Sequence, residues 1–330
     1  MARLKDIAEA SGVSIRTVGR ALKGAGYVHK DVRERVLASA KELDYRPHRL
    51  ARSLRTGRSH EVLVLAGGIG GQRDELHIAK IAGMERALRA GDMALGLLFG
   101  LEDQARRQNR DLLDELISRR PGGIALFPGD GPQAKPAARR LEVGGVPYIF
   151  LDHPDRDVDA VRHDRQQGVH EAVTYLASRG RKRIAYVGVI DERSRLDGYE
   201  RTMRELGRPP IIVPMPKPTW EDGRKAASAV AALDPRPDAI MGYSDIVALG
   251  ILAGLHELGI KIPAEIAVIG FDDRMAASLS FPPLTTVQQD NDALGVAAAE
   301  VLLAKVRGDP PPAGGWSRLL PTRLIVRAST

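Results

Sequence analysis

From Glu61 onward this 330-residue chain alternates short apolar runs with longer amphipathic ones, and few architectures satisfy that alternation. The strand-like runs are 62–66, 95–99, 123–127, 148–152, 183–189, 211–214, 239–242, 266–271 and 285–288. Helical spacing of apolar residues fills most of the intervals, as at 78–89, 107–118, 168–179, 197–206, 223–233, 246–258 and 291–305. Parallel strands need crossovers of this length, and a strand covered by helices on both faces reads as a continuous apolar run. The pattern therefore predicts parallel sheets with helices on both sides. Nine strands and seven long helices exceed one sheet. Two similar lobes are expected, dividing near residues 155–159 and recrossed by the last strands and helix.

The first 58 residues obey a different rule. Leu4, Ile7 and Ala8 mark one face of a short helix that Gly12 ends. Ser14 is a suitable N-cap for a second helix over 15–22, with Val18 and Leu22 turned inward. Gly24-Ala25-Gly26 leads to a third helix over 31–43, whose inner side is expected to carry Val32, Val36, Leu37 and Leu43. Two short helices joined by a glycine-containing turn and backed by a third make a helix-turn-helix. Charge supports that reading. The segment holds fourteen Lys and Arg against six Asp and Glu, a net of +8, while the whole chain is +7. All the positive excess is confined here, as a polyanion contact requires. The second helix of such a motif presents its first turns to the major groove. Those residues are Ser14, Ile15, Arg16 and Thr17, with Arg20 one turn on. Arg16 or Arg20 can make paired bonds to guanine, and Ile15 can pack on a thymine methyl.

Composition narrows the rest. There is no cysteine, which excludes disulfides, thiolate catalysis and cysteine zinc sites. No apolar run reaches the eighteen residues of a membrane span, and the charged start Met-Ala-Arg-Leu-Lys-Asp is not a secretory leader. A soluble cytoplasmic protein is expected, with no membrane partner, no cofactor and no metal.

The stretch Leu4-Lys5-Asp6-Ile7-Ala8, Ser11-Gly12-Val13-Ser14, Thr17-Val18, Arg20, Val28 and Arg33-Glu34-Arg35-Val36 continues through Leu43, Tyr45-Arg46-Pro47 and Ala51-Arg52-Ser53-Leu54-Arg55. Further on come Asp164, Gly180-Arg181-Lys182-Arg183-Ile184-Ala185, Arg195 before Gly198-Tyr199, Asp245 before Ala248-Leu249-Gly250, Ile269-Gly270-Phe271-Asp272-Asp273, and Pro282-Pro283-Leu284-Thr285-Thr286-Val287. Together these motifs resemble the lac repressor (LacI/GalR) family of transcriptional regulators along essentially the whole chain. The resemblance implies an all-α helix-turn-helix headpiece over 1–46 and a hinge helix and linker over 47–58. It implies an α/β core over 59–330 like the periplasmic binding proteins, built of two parallel-sheet lobes. Their expected extents are 59–156 plus 286–316, and 157–285 plus 317–330. It further implies a homodimer on a near-palindromic double-stranded DNA operator, repression as the usual outcome, and hinge residues His48, Ala51, Arg52, Leu54 and Arg55 in the minor groove. Leu54 matches the leucine that wedges into the central base step. Gly19, Lys23, His29 and His48 depart from the residues usual in the family and bear on which operator is read. The chain ends soon after its final strand with no added heptad helix, so a dimer is expected over a coiled-coil tetramer.

Two lobes around a cleft suit a small polar effector at the C-terminal strand edges. Asp152 ends one strand, Ser244 and Asp245 follow another, Asp272 and Asp273 follow a third, and Arg195 opens a helix. Carboxylates and a guanidinium bond vicinal hydroxyls, so a sugar or sugar derivative is the expected guest. By resemblance, Arg195 and Asp272 match the effector-contacting positions, and Ser244 stands where asparagine is frequent. Trp220 can stack on a sugar ring or serve as core. Asp245 and Asp273 are expected to hold loops. Corepression by a purine or another non-sugar metabolite is the alternative. An enzyme is the first rival: Gly67-Gly68-Ile69-Gly70-Gly71 follows a strand, yet Arg73 stands where a dinucleotide loop needs glycine. His153, His163 and His170 lack zincin spacing, and no Gly-x-Ser-x-Gly elbow occurs. A sugar-binding transport protein fits the core but not the headpiece. Tyr27 and Tyr45 alone are too few aromatics for an RNA-stacking surface.

Overall fold

The computed structural model describes residues 2–23, 27–45, 59–65, 74–98, 112–127 and 134–330. The expected hinge helix, with His48, Ala51, Arg52, Leu54 and Arg55, lies outside the described residues, as does the glycine cluster 67–71. The chain divides into two compact units, Met1–Ser59 and His60–Thr330.

The small unit is three helices: α1 (Leu4–Ser11), α2 (Ile15–Lys23) and α3 (Lys30–Glu42). Gly12 caps α1 at φ 65°, a left-handed turn that glycine adopts without steric penalty. The Ser14 Oγ accepts the Thr17 amide at 3.1 Å and so caps α2. Ile7, Ala8, Val18, Ala21, Val36 and Ala40 form the core, with Leu22, Val32 and Tyr45 packed against it. Leu37 and Leu43 were expected inside but are exposed. The buried stripe of α3 runs through Val36 and Ala40, one turn apart, which rotates Leu37 outward.

The large unit holds two six-stranded sheets. In the first, β1 (Glu61–Leu65), β2 (Ala94–Leu98), β3 (Gly123–Leu126), β4 (Tyr148–Leu151), β5 (Ala160–His163) and β11 (Arg318–Leu320) are ordered β11-β5-β4-β3-β1-β2, every pair parallel. In the second, β6 (Ile184–Gly188), β7 (Ile211–Pro214), β8 (Ala239–Gly242), β9 (Ala267–Asp272), β10 (Thr285–Gln289) and β12 (Thr322–Ile325) are ordered β12-β10-β9-β8-β6-β7. Here β12 pairs antiparallel with β10, so this lobe is not purely parallel as expected. The two orders match strand for strand, so the lobes are repeats of one pattern, with β4 equivalent to β9 and β5 to β10.

Strand membership moves the expected lobe limits. β5 and β11 belong to the first sheet and β10 to the second, so the chain crosses after His163, Gln289 and Leu320. The expected crossings at 156, 285 and 316 each fall a few residues early. The short β5 and β11, and the edge strand β12, were absent from the nine apolar runs. β5 reads Ala-Val-Arg-His and β12 Thr-Arg-Leu-Ile, too polar to register as buried strands.

Helices cover both sheets: α4 (Asp74–Ala90), α5 (Leu112–Ser118), α6 (Ala134–Val143), α7 (Arg165–Ser178), α8 (Arg193–Glu205), α9 (Trp220–Ala231), α10 (Asp245–Glu257), α11 (Met275–Leu279) and α12 (Asn291–Arg307). Two helix pairs approach to backbone contact. A Cβ on Gly295 of α12 would stand 1.9 Å from the Lys80 carbonyl oxygen of α4. A Cβ on Gly250 of α10 would stand 2.1 Å from the Trp220 carbonyl oxygen of α9. Among the described residues no helix is long and apolar enough to cross a membrane.

Candidate functional site

In the small unit the exposed side of α2 carries Ile15, half exposed, with Arg16 and Arg20 on the surface beside it. An exposed apolar residue beside two guanidiniums suits a groove wall better than bulk water. Two pairs of surface charges elsewhere in this unit are tied across one helical turn, Lys5 with Glu9 and Lys30 with Glu34. Among the described residues Arg16 and Arg20 form no ion pair, so their donors face outward. Ser14 and Thr17 are tied to each other, hydroxyl to hydroxyl at 2.9 Å, and fix the start of the helix.

In the large unit the strand ends build two matching triads. At the end of β4, Asp152 takes φ 52°, and at the equivalent end of β9, Asp272 takes φ 115°. Positive φ is strained for a side-chain-bearing residue and collects at functional turns. Each carboxylate receives a cation from the first described helix after the first strand of its lobe. Lys80 Nζ of α4 lies 2.6 Å from Asp152 Oδ2, and Arg195 Nη2 of α8 lies 3.3 Å from Asp272 Oδ1. Each also receives a donor from the end of the neighbouring strand. The His163 amide and Nδ1 reach Asp152 Oδ1, both at 3.1 Å, and Gln289 Nε2 donates to Asp272 Oδ1 at 2.7 Å.

Arg165, in the first turn of α7, joins the triads. Its Nη2 lies 3.2 Å from Asp152 Oδ2 and its Nε donates to Gln289 Oε1 at 3.0 Å. Glu75 makes a second bridge between lobes, accepting the Met275 amide at 3.2 Å and facing Arg274 Nη1 at 3.6 Å.

Burial sets the electrostatics. Asp152 is 3% exposed; burial alone would raise its pKa, but Arg165, Lys80 and His163 together hold it well below the usual carboxylate range. Arg195 lies between the rings of Tyr243 and Phe271, 4.4 and 4.5 Å from their centroids. Its Nη1 is 3.4 Å from Glu192 Oε2. Burial works against the Glu192 charge, yet Arg195, Arg165 and the Ser194 bonds bring its pKa below normal. Arg195 Nε and Tyr186 Oη are buried with no hydrogen-bond partner.

The expected cleft residues are thus placed as follows. Arg195 and Asp272 touch. Asp152 has both oxygens engaged within the protein rather than open to a ligand. Ser244 caps α10, its Oγ accepting the Val247 amide at 3.4 Å. Trp220 opens α9 and is 38% exposed, without a described bond to the triads. Asp245 and Asp273 hold loops, Asp245 through Thr286 Oγ1 at 2.5 Å and the Arg274 amide at 2.6 Å, Asp273 through Arg327 at 2.7 Å. Asp245 is fully buried, and desolvation, reinforced by the nearby Asp272 charge, pushes its pKa up to about 8.

Lys80, His163, Arg165, Gln289 and Glu192 were not singled out as ligand groups. Lys80 had a legible signal: His77, Lys80, Met84 and Leu88 form the buried stripe of α4, and a lysine in such a stripe needs a partner.

A helical headpiece with unpaired guanidiniums, followed by a two-lobed core with a polar cleft, defines a DNA-binding regulator with a ligand-binding domain. The model of the bacterial regulatory proteins of the lacI family matches residues 3–48, and that of the periplasmic binding protein-like domain matches residues 173–330. The ribose operon repressor of Escherichia coli (strain K12) is 31% identical over 318 residues, covering 93% of each chain. The HTH-type transcriptional repressor CytR of the same strain is 30% identical over 338 residues, covering 100% of this chain and 96% of that one. Among solved structures, the lac repressor dimer bound to operator and the anti-inducer ONPF superposes with a TM-score of 0.80 at 26% identity, covering 99% of this chain and 98% of that one. The chain belongs to the lacI family of transcriptional regulators, and it is a DNA-binding regulator rather than an enzyme.

Proposed function

We propose that this regulator is a repressor that binds a near-palindromic operator as a homodimer and changes its operator affinity when a sugar or sugar derivative enters the cleft. The observation that carries the DNA reading is the pair Arg16 and Arg20, exposed on α2 and without acidic partners among the described residues. Ser14, Ile15 and Thr17 complete the major-groove face. His48, Ala51, Arg52, Leu54 and Arg55 are assigned to the minor groove on the family's pattern alone. A homodimer is supported by exposed apolar side chains in one short stretch, Met275, Leu279 and Phe281, the last 97% exposed. One bacterial relative is a ribose operon repressor, which is in keeping with a sugar effector and a cytoplasmic setting. Arg195, Asp272, Gln289 and the hydroxyl of Ser244 supply donors and acceptors for vicinal hydroxyls, with Trp220 at the start of α9 available to stack and Asp152 acting through the opposite triad.

Effector control is a difference in affinity between two arrangements of the lobes. Arg165 and Glu75 bond across the lobes, so a ligand that competes for Gln289 or Asp272 alters how the lobes are held. Linkage supplies the test. The effector must change operator affinity, and operator must change effector affinity, by the same factor. Calorimetric titration of the effector with and without operator duplex is expected to give two different dissociation constants. Equal constants would contradict the coupling.

A further inference from the structure

The two triads match in geometry but not in charge. Around Asp272 the cations Arg195 and Arg274 meet the carboxylates of Asp272 itself, Glu192 and Glu75. Around Asp152, Lys80 and Arg165 converge on a single carboxylate, the one acidic group within ion-pair reach of either among the described residues, with Glu192 near enough to feel the Arg165 charge but already paired with Arg195. His163 also lies with Nε2 3.2 Å from the Asp290 carbonyl oxygen. Lys80 is 6% exposed and Arg165 largely covered, so water screens this excess poorly. The Gly295 crossing sets the Lys80 backbone against α12.

We propose that the effector is an anionic polyol whose oxyanion, a carboxylate or a phosphate, is bound by Lys80 and Arg165, while its hydroxyls meet Arg195, Asp272 and Gln289. This rests on reading the cleft as the effector site. An oxyanion at Lys80 and Arg165 restores charge balance to the Asp152 end, and both cations already point at an acceptor there. Buried donors elsewhere in the cleft agree with an acceptor-rich guest, since Arg195 Nε and Arg274 Nε have no hydrogen-bond partner among the described residues. A neutral sugar would leave the positive end uncompensated. The anion also competes with Asp152 for Arg165, the residue that bonds to both triads, so binding at one end reaches the contact between lobes.

The test uses the full chain and skeleton-independent probes, inorganic phosphate and acetate, each titrated at constant ionic strength while the melting temperature of the core is followed. A saturable rise with one or both anions is expected in the wild type, and which anion acts separates phosphate from carboxylate ligands. Lys80→Met and Arg165→Gln are each expected to weaken the apparent affinity at least tenfold. The second variant, at a partly exposed side chain in the first turn of α7, guards against a folding defect in the first. Absence of a saturable rise with either anion overturns the proposal, and so does a rise that survives both substitutions. Duplex binding by the wild type, measured without added anion, is expected; its absence would speak against the DNA reading instead.

Discussion

Arg16 and Arg20 are the residues on which sequence discrimination turns. A paired guanidinium–guanine contact contributes about 1–3 kcal/mol of discrimination, so Arg16→Ala and Arg20→Ala should each weaken operator binding by roughly 10- to 100-fold. The loss on random duplex should be much smaller, and competition gel shifts with the two DNAs measure the difference. Asp245 offers a prediction on stability. Its folded pKa, pushed up to about 8, lies above that of an unfolded aspartate, near 3.9. A raised folded value means stability is fully present below the unfolded pKa and declines as pH rises through the interval toward 8. Asp245→Asn can accept the Arg274 amide through its carbonyl oxygen and donate from Nδ2 to Thr286 Oγ1, with no charge to bury. Urea denaturation should therefore show the wild type losing stability from pH 5 to 8 and the variant losing markedly less. Asp152 has the opposite sign: its depressed value means its contribution holds at neutral pH and is lost only as pH falls below the ordinary carboxylate range.

The helix pairs position these residues, and glycine sets how closely they pair. A methyl group on Gly295 would overlap the Lys80 carbonyl, so Gly295→Ala must push α12 away from α4. Overpacking of this kind costs about 1–3 kcal/mol. The cost should appear as a lower denaturant midpoint, together with weaker anion binding because Lys80 moves. At this scale the sequence was most legible where apolar runs were long and least where elements were short and polar. The runs at 211–214 and 239–242 coincide with β7 and β8. β5, β11 and β12 escaped because Arg162, Arg318 and Arg323 interrupt them. α3 was located correctly but rotated, since Leu37 and Leu43 are as apolar as Val36 and only packing on α1 and α2 decides which side is buried. The cleft shows the same division. Asp272 and Arg195 were legible from their motifs. The Lys80–Asp152–His163 triad was not, because the partner of Lys80 lies 72 residues further on and only the sheet order brings the two together.

At the scale of the molecule, a basic headpiece supplies affinity for the DNA backbone and the core supplies the condition under which it is used. Confinement of net charge to the first 58 residues predicts a steep fall in affinity with salt, carried by that segment. The proposed homodimer rests on the apolar stretch around α11. Phe281→Glu, at a fully solvated side chain, should leave the fold intact, convert the dimer to monomer in sedimentation velocity, and weaken operator binding by removing the second headpiece. The most direct measurement is a selection of duplexes from a random-sequence pool by the purified full chain, with wild type and an Arg16→Ala, Arg20→Ala double variant run in parallel. The wild type should enrich a near-palindromic duplex and the double variant should not. Enrichment of no duplex by the wild type, or of the same duplex by both proteins, would contradict the assignment of α2 as the element that reads DNA.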